Sequence, residues 1–212
     1  MHKSSVTPDE ALKMLQEGNA RFVANSAQRP NCGEDRRQDT AAHGQAPFVT
    51  LLSCSDSRVP AEHIFDRGIG DIFVVRVAGN IMGNSELASV EYAVDHLGTP
   101  LFAVLGHTKC GAVTAVVQAG LLGGNLRGLS EKILPALERT KQAHPGVTED
   151  QLVSETVRAN VWKVIEDAFA TSLCLKEKAK AGDLKVVGGV YDIHSGKIDW
   201  MGTHPQQDKL LT

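Results

Sequence analysis

Two thiols and an imidazole stand where short apolar runs end. Cys54 follows Phe48–Ser53 (FVTLLS); His107 follows Leu101–Gly106 (LFAVLG), with Cys110 three residues on. Thiolate sulfur and imidazole nitrogen are zinc ligands, and three protein ligands instead of four leave a position for water, as in catalytic sites. Taken singly, each residue has an ordinary explanation, since a buried cysteine behaves as a small hydrophobe and a histidine after a strand is more often structural. The combination is far more specific. His107-Thr108-Lys109-Cys110 places two donors within one turn, and Cys54 arrives from a second run. Cys110 also falls at an expected helix N-terminus, where the dipole favours the thiolate.

Asp56 and Arg58 follow Cys54 closely, in a tight loop. Beside a metal, a carboxylate accepts a hydrogen bond from bound hydroxide, and a guanidinium holds that carboxylate ionised through charge-assisted bonds. Away from a metal, Asp56 would cap the helix that Pro60 starts, and Arg58 would be a surface charge. Gly111 allows the backbone to approach the site closely.

The elements that must position these residues are legible as alternating patterns. Phe48–Ser53, Ile72–Val77 and Leu101–Gly106 have the length and β-branched content of buried strands. Ser85–Leu97 and Gly111–Leu122 carry helical periodicity. Strands separated by helices imply βαβ units and a parallel sheet, whose strand ends share one edge where ligand sites form. That edge collects Cys54, His107 and Cys110. Further helices are expected over Ser130–Ala143, with Pro135 a potential bend, and over Gln151–Lys180. Leu184–Tyr191 reads as a late strand, paired with Ile198–Met201 across a Ser195-Gly196 turn. Thr7-Pro8-Asp9-Glu10 is a capping box opening a helix to Asn25, with Leu12, Leu15, Asn19 and Phe22 on one face. Asn25–Gly44 is polar, either loop or polar helix. The fold class is therefore α/β: a central, mostly parallel sheet flanked by helices, with an N-terminal helical arm and a C-terminal edge strand. Residues 1–44 form the arm and connecting segment, and residues 45–212 the zinc-binding domain, a single domain overall.

Composition excludes several classes. The chain has 212 residues, 42% hydrophobic and 22% charged, with a formal net charge of −3. Nothing suggests a nucleic-acid or membrane surface. No apolar run approaches the ~20 residues of a membrane span. Met1–Pro8 lacks the apolar stretch of a secretory signal, so a cytoplasmic protein is expected, or a periplasmic one if a signal was removed. Four cysteines, at 32, 54, 110 and 174, are too sparse for a disulfide scaffold. Cys174 is expected in the core and Cys32 as a spare loop thiol. His63 reads as a helix-surface residue, with proton relay as the alternative. Gly68-Ile69-Gly70 precedes a strand, so it is no dinucleotide fingerprint.

Cys54-Ser55-Asp56-Ser57-Arg58-Val59-Pro60 together with His107-Thr108-Lys109-Cys110-Gly111 resembles the signature of β-class carbonic anhydrases. The resemblance runs from about Gln45 to Gly120 and is closest to the plant-type, open-site branch. It implies one zinc ion per chain, held by Cys54, His107 and Cys110, with Asp56 and Arg58 as a catalytic pair. It implies reversible hydration of carbon dioxide to bicarbonate and a proton by zinc-bound hydroxide, the activity of a carbonate dehydratase. Gln45 matches a glutamine that donates to substrate oxygen. Phe73 and Tyr92 match aromatic pocket residues that the family draws from a neighbouring subunit, and the Gly111 N–H could face substrate. A homodimer or a multiple of dimers follows, with the N-terminal helix packed on a partner. Carbonyl sulfide and carbon disulfide hydrolases share these ligands and are the alternative, as is a catalytically silent zinc protein. Another branch switches off by moving the aspartate onto zinc, aided by bicarbonate. That branch is similar at Arg76 but carries tryptophan where this chain has Leu51. Leucine has no indole N–H to donate to an anion, so Asp56 is expected to stay paired with Arg58.

Overall fold

The computed structural model describes residues 6–212. The expectation about Met1–Pro8 therefore lies mostly outside the described residues. Five strands form one sheet in the order β2-β1-β3-β4-β5. They are β1 (Val49–Ser53), β2 (Ile72–Arg76), β3 (Leu101–His107), β4 (Lys185–Tyr191) and β5 (Ile198–Gly202). The first four are parallel and β5 runs antiparallel to β4 as the edge strand. β1 and β3 are buried along their whole length. Both faces of these central strands are covered, which explains why their sequences are continuous apolar runs.

The period of two sorts their side chains between two cores. Leu52, Phe102 and Val104 face a core shared with the helices that follow β2 and β3. Val49, Leu51, Ala103 and Leu105 face the other, shared with the N-terminal helix α1 (Pro8–Val23) and the short α3 (Ala61–Ile64). α1 opens with the expected capping box, Glu10 N–H donating to Thr7 Oγ1 at 3.3 Å and Thr7 N–H to Glu10 Oε2 at 2.8 Å. Its apolar face, expected to wait for a partner, is filled by its own chain: Ala11 and Leu15 are fully buried in that second core. Asn19, the polar exception, is buried as a clamp. Its Nδ2 donates to Gly196 O at 2.9 Å and Ile64 O at 3.3 Å, and its Oδ1 accepts from Ile198 N–H at 3.2 Å.

The connector forms a polar helix, α2 (Glu34–His43), with no buried residue. The expected helix over Ser85–Leu97 is α4 (Asn84–Glu91) running into a π turn at Tyr92–His96, where Leu97 N–H reaches back to Tyr92 O. α5 (Gly111–Ala119) and α6 (Leu126–Ala143) follow β3, and Pro135 falls inside α6. The expected single helix over Gln151–Lys180 is two, α7 (Glu149–Thr171) and α8 (Leu173–Ala181). Ser172 breaks it by taking an extended backbone and capping α8 with its own side chain, Leu175 N–H donating to Ser172 Oγ at 3.2 Å. Cys174 is half-buried instead of in the core, and Leu175 takes the core position. α9 (Gln207–Leu211) closes the chain. None of the described helices is long and apolar enough to cross a membrane.

Candidate metal centre

The strand order places β1 between β2 and β3, so the chain leaves β1 on one side and returns on the other. A crevice opens at such a switch point, beyond the carboxyl ends of the strands. Cys54 follows β1 and His107 ends β3, one on each side of it. Cys110 is the N-cap residue of α5. The sulfurs of Cys54 and Cys110 and a ring nitrogen of His107 all lie within 4.8 Å of one another. All three residues are buried, His107 completely. α7 can seat tightly behind this rim because Gly106, just before His107, has no Cβ. One built there would lie 2.9 Å from Val161 Cγ2.

His107 is oriented by its neighbour: Nδ1 lies 3.0 Å from Thr108 O, which makes Nδ1 the protonated nitrogen. Nε2 is left as an acceptor, and it is buried with no hydrogen-bond partner. A buried lone pair without a donor is costly unless something else takes it. Two cysteine sulfurs beside it complete a donor set that fits zinc, with three protein ligands and a fourth direction free.

The two thiols share one proton, and Cys54 is the one prepared to lose its own. The Cys54 thiol is pulled well below its ordinary range, first by a hydrogen bond from Cys110 and then by the His107 ring, with the Asp56 and Gly79 N–H groups adding to the effect against the opposing cost of burial. These N–H groups lie 3.4 and 3.2 Å from its sulfur. Cys110 is pushed up because it keeps the proton shared with Cys54. The two sulfurs would hold a metal ion in place of that proton, so the pair describes one site and not two independent thiols.

Asp56 and Arg58 form a bidentate pair. Arg58 Nε and backbone N–H each donate to Asp56 Oδ1 at 2.9 Å, and Nη2 donates to Oδ2 at 2.7 Å. These bonds hold the Asp56 carboxyl well below the usual carboxylate range. Oδ2 stands 3.8 Å from His107 Nε2, so the carboxylate overlooks the same space as the imidazole lone pair. Arg58 Nη2 also donates to Lys109 O at 3.1 Å, tying the Cys54 loop to the His107–Cys110 loop. Lys109 sits there at φ +54, a strained conformation for a residue with a Cβ.

The sequence marked Arg76 only by its resemblance to the anion-regulated branch and did not announce the Thr108–Asp192 link. Arg76 Nε donates to Cys54 O at 3.0 Å and Nη2 to Asp56 O at 2.7 Å, so this guanidinium braces the ligand loop. Thr108 Oγ1 donates to Asp192 Oδ1 at 3.2 Å and accepts from Ile193 N–H at 3.1 Å, linking the β3 rim to the β4 rim. For the bracing roles the available signal was position: Arg76 ends and Asp192 follows a strand at the edge that carries the ligands.

The other expected pocket residues lie elsewhere. Phe73 pairs in register with Thr50, four residues before Cys54, roughly 13 Å at about 3.3 Å per residue. Its ring meets Tyr92 at 5.9 Å, and Tyr92, 44% exposed, also meets His96 at 5.4 Å. Gln45 is exposed before β1, toward the opposite sheet edge. Gly111 is at the metal edge, and a Cβ built on it would meet nothing within 4 Å, so its lack of side chain opens space instead of allowing close packing. His63 is exposed and lines a cavity of about 540 Å³ with Phe22, Arg29, Cys32 and Ile69, which none of the three metal-binding residues touches.

Comparison with known proteins agrees with this geometry. A family model described as carbonic anhydrase matches residues 49–198. Carbonic anhydrase 2 of Mycobacterium tuberculosis is 39% identical over 197 residues, covering 91% of this chain and 92% of that protein. The carbonic anhydrase of Pseudomonas aeruginosa is 36% identical over 163 residues, 73% of each chain. Among solved structures, the β-carbonic anhydrase CafA of Aspergillus fumigatus superposes with a TM-score of 0.76 at 26% identity, covering 92% of this chain and 95% of that one. One of two tetrameric β-carbonic anhydrases from Sordaria macrospora superposes with a TM-score of 0.73 at 27% identity, covering 88% and 94%.

Proposed function

The chain belongs to the β class of the carbonic anhydrase family, and from that premise we propose how its own residues carry out the reversible hydration of carbon dioxide. Cys54, His107 and Cys110 would hold one zinc ion per chain, which when bound supplies the Lewis acidity that brings a water pKa from 15.7 to about 7. The observation that carries this assignment is the buried, partnerless Nε2 of His107 beside two buried thiols. Asp56 accepts a hydrogen bond from the attacking oxygen and so fixes which lone pair faces the carbon of carbon dioxide. Arg58 keeps that carboxylate charged and turned toward the imidazole, using three donors. The Gly111 N–H, at the start of α5, is a helix donor without an intrahelical acceptor and would be available to a bicarbonate oxygen.

Asp56 stays on Arg58 and does not move to the metal, which is the open-site arrangement. Leu51 is fully buried in β1 and offers no donor, and the Arg76 guanidinium is engaged by two backbone carbonyls. Both features support the absence of an anion-driven closed state.

The substrate pocket is completed by a second copy of the chain, as a dimer or a multiple of dimers. Phe73 pairs with Thr50, four residues of strand before Cys54, and Gln45 and Tyr92 are exposed enough to serve another chain's pocket. The two Sordaria macrospora relatives are described as tetrameric. A reducing compartment such as the cytoplasm suits a chain whose two metal-binding cysteines must stay as free thiols. Measuring carbon dioxide hydration with and without a zinc chelator tests the assignment: activity that follows the metal supports it, and activity unaffected by complete zinc removal overturns it.

A further inference from the structure

Cys54 sulfur is served by a backbone donor that could easily turn away. The N–H of Gly79 points at it from 3.2 Å. Gly79 lies in the 3-10 turn Ala78–Asn80 that closes β2, at φ +71 and ψ +18. Only glycine adopts this conformation without penalty, and only glycine fits: a Cβ would lie 2.9 Å from Ile133 Cδ1 and 3.2 Å from Ala112 Cβ. The same freedom is a weakness, because rotation about φ of a glycine swings its N–H away from an acceptor at little cost. Within the turn the peptide that follows is held by one bond, Asn80 N–H donating to Val77 O at 3.0 Å, and its carbonyl is left for a group outside the turn.

Asn160 is that group. It lies in the interior of α7, 81 residues from Gly79 in sequence, and is 1% exposed. Its Nδ2 donates to Gly79 O at 2.9 Å. Its Oδ1 is buried without a partner, as is the Nδ2 of Asn80 beside it in the turn. An unpaired buried acceptor destabilises a fold, so packing alone would favour an apolar residue here. The single bond that this amide makes goes to the Gly79 carbonyl, adding a second hold to the peptide that Asn80 N–H ties to Val77 O.

We infer that Asn160 is a positioning residue for the metal centre: it pins the Gly79 carbonyl from α7, and so aims the Gly79 N–H at the sulfur of Cys54. The inference rests on zinc binding by Cys54, His107 and Cys110. Outer-shell partners of metal ligands commonly change metal affinity by about 10–100-fold when removed. A donor to a thiolate sulfur also draws charge from it. Losing that donor lowers the energy of the sulfur-to-metal charge-transfer band of a spectroscopically active ion.

The test uses the full chain loaded with zinc for kinetics and with cobalt(II) for spectra. Asn160→Leu removes the donor at similar volume, and Asn160→Ser, one bond too short to reach Gly79 O, serves if the leucine variant does not fold. Asn19→Ala is the control for a purely structural role, because Asn19 is also a buried amide clamp, on the other sheet face. Either Asn160 variant is expected to release zinc to excess chelator about tenfold faster or more. Its cobalt charge-transfer band is expected to move to longer wavelength. Asn19→Ala is expected to lower the melting temperature and leave both readouts in place. Zinc release within twofold of wild type, together with an unmoved band in the Asn160 variant, overturns the inference. So does an equal change in both readouts for Asn19→Ala. Wild-type protein that takes up cobalt with no sulfur-to-cobalt band overturns the zinc assignment itself, and the inference with it.

Discussion

The two edges of the sheet are built on opposite plans. At the carboxyl edge, Cys54, His107 and Cys110 are buried, and Arg58, Arg76, Thr108 and Gly79 lock the loops that carry them. Toward the other edge, Gln45 and Tyr92 are exposed, and the Phe73 ring packs at a tilt against Tyr92, some four strand residues from Cys54. The metal edge needs fixed charges and aimed lone pairs, and one chain supplies them all. The aromatic edge offers only shape, which a second copy can use. The difference teaches that metal binding and substrate enclosure are separable properties of this molecule, and each can be removed without the other.

The largest effect should come from the ligands. Cys54→Ala or Cys110→Ala should abolish stoichiometric zinc and lower turnover at least about 1000-fold, since no nucleophile forms at neutral pH without the ion. Metal analysis of the purified variants checks this, and one zinc per chain in either variant would remove that residue from the ligand set. Asp56→Asn should come next. It should keep its zinc and lose about 100-fold or more in kcat, in the range of a lost general acid–base or orienting group. Near-normal kcat at full zinc occupancy would take Asp56 out of the mechanism.

The aromatic edge should respond more gently. Tyr92→Ala should bind zinc normally and lose about tenfold in kcat/KM, through a looser apolar wall. Mixing it with the zinc-free Cys54→Ala chain sharpens the comparison. If the pocket is shared between copies, a mixed dimer pairs an intact metal edge with an intact aromatic edge, and activity rises above that of either variant alone. An unchanged sum of the two activities would show that each chain encloses its own substrate.

The smallest effect concerns Asp192 at the rim. Hydrogen bonds from the Ser195 hydroxyl and the His194 N–H hold its carboxyl down at about 2. The unfolded value is near 3.9. A depressed folded value means that its contribution is fully present above about pH 4 and is lost as pH falls through about 2. Asp192→Asn should therefore flatten the acid limb of a stability curve between about pH 4 and pH 2 and change little near neutrality. A wild-type acid limb in the variant would contradict this.

The metal edge was legible in the sequence because its chemistry is carried by residue type and by position at the ends of apolar runs. Cys54, His107 and Cys110 could be gathered from two short stretches once the strands were recognised. The capping box of α1 was equally local. What sequence could not show was tertiary. Asn160 is one polar residue in a long helix, and nothing in its neighbourhood points to Gly79. Ser172 breaks an otherwise continuous helical pattern by capping α8, a choice that competes with helix continuation at one residue. The apolar face of α1 looked unpartnered because the pattern shows that a face must be buried, not against what. Phe73 and Tyr92 were legible as aromatics, while their distance from the ligands followed only from strand register.

The central claim is that one zinc ion, held at the carboxyl edge, makes this chain a carbonic anhydrase. The direct measurement is stopped-flow carbon dioxide hydration during titration of metal-free protein with zinc. The account predicts no rate above background without metal, and a rate that rises linearly and stops at one zinc per chain. Full activity in the metal-free protein, or a rate that keeps rising well past one zinc per chain, would contradict it.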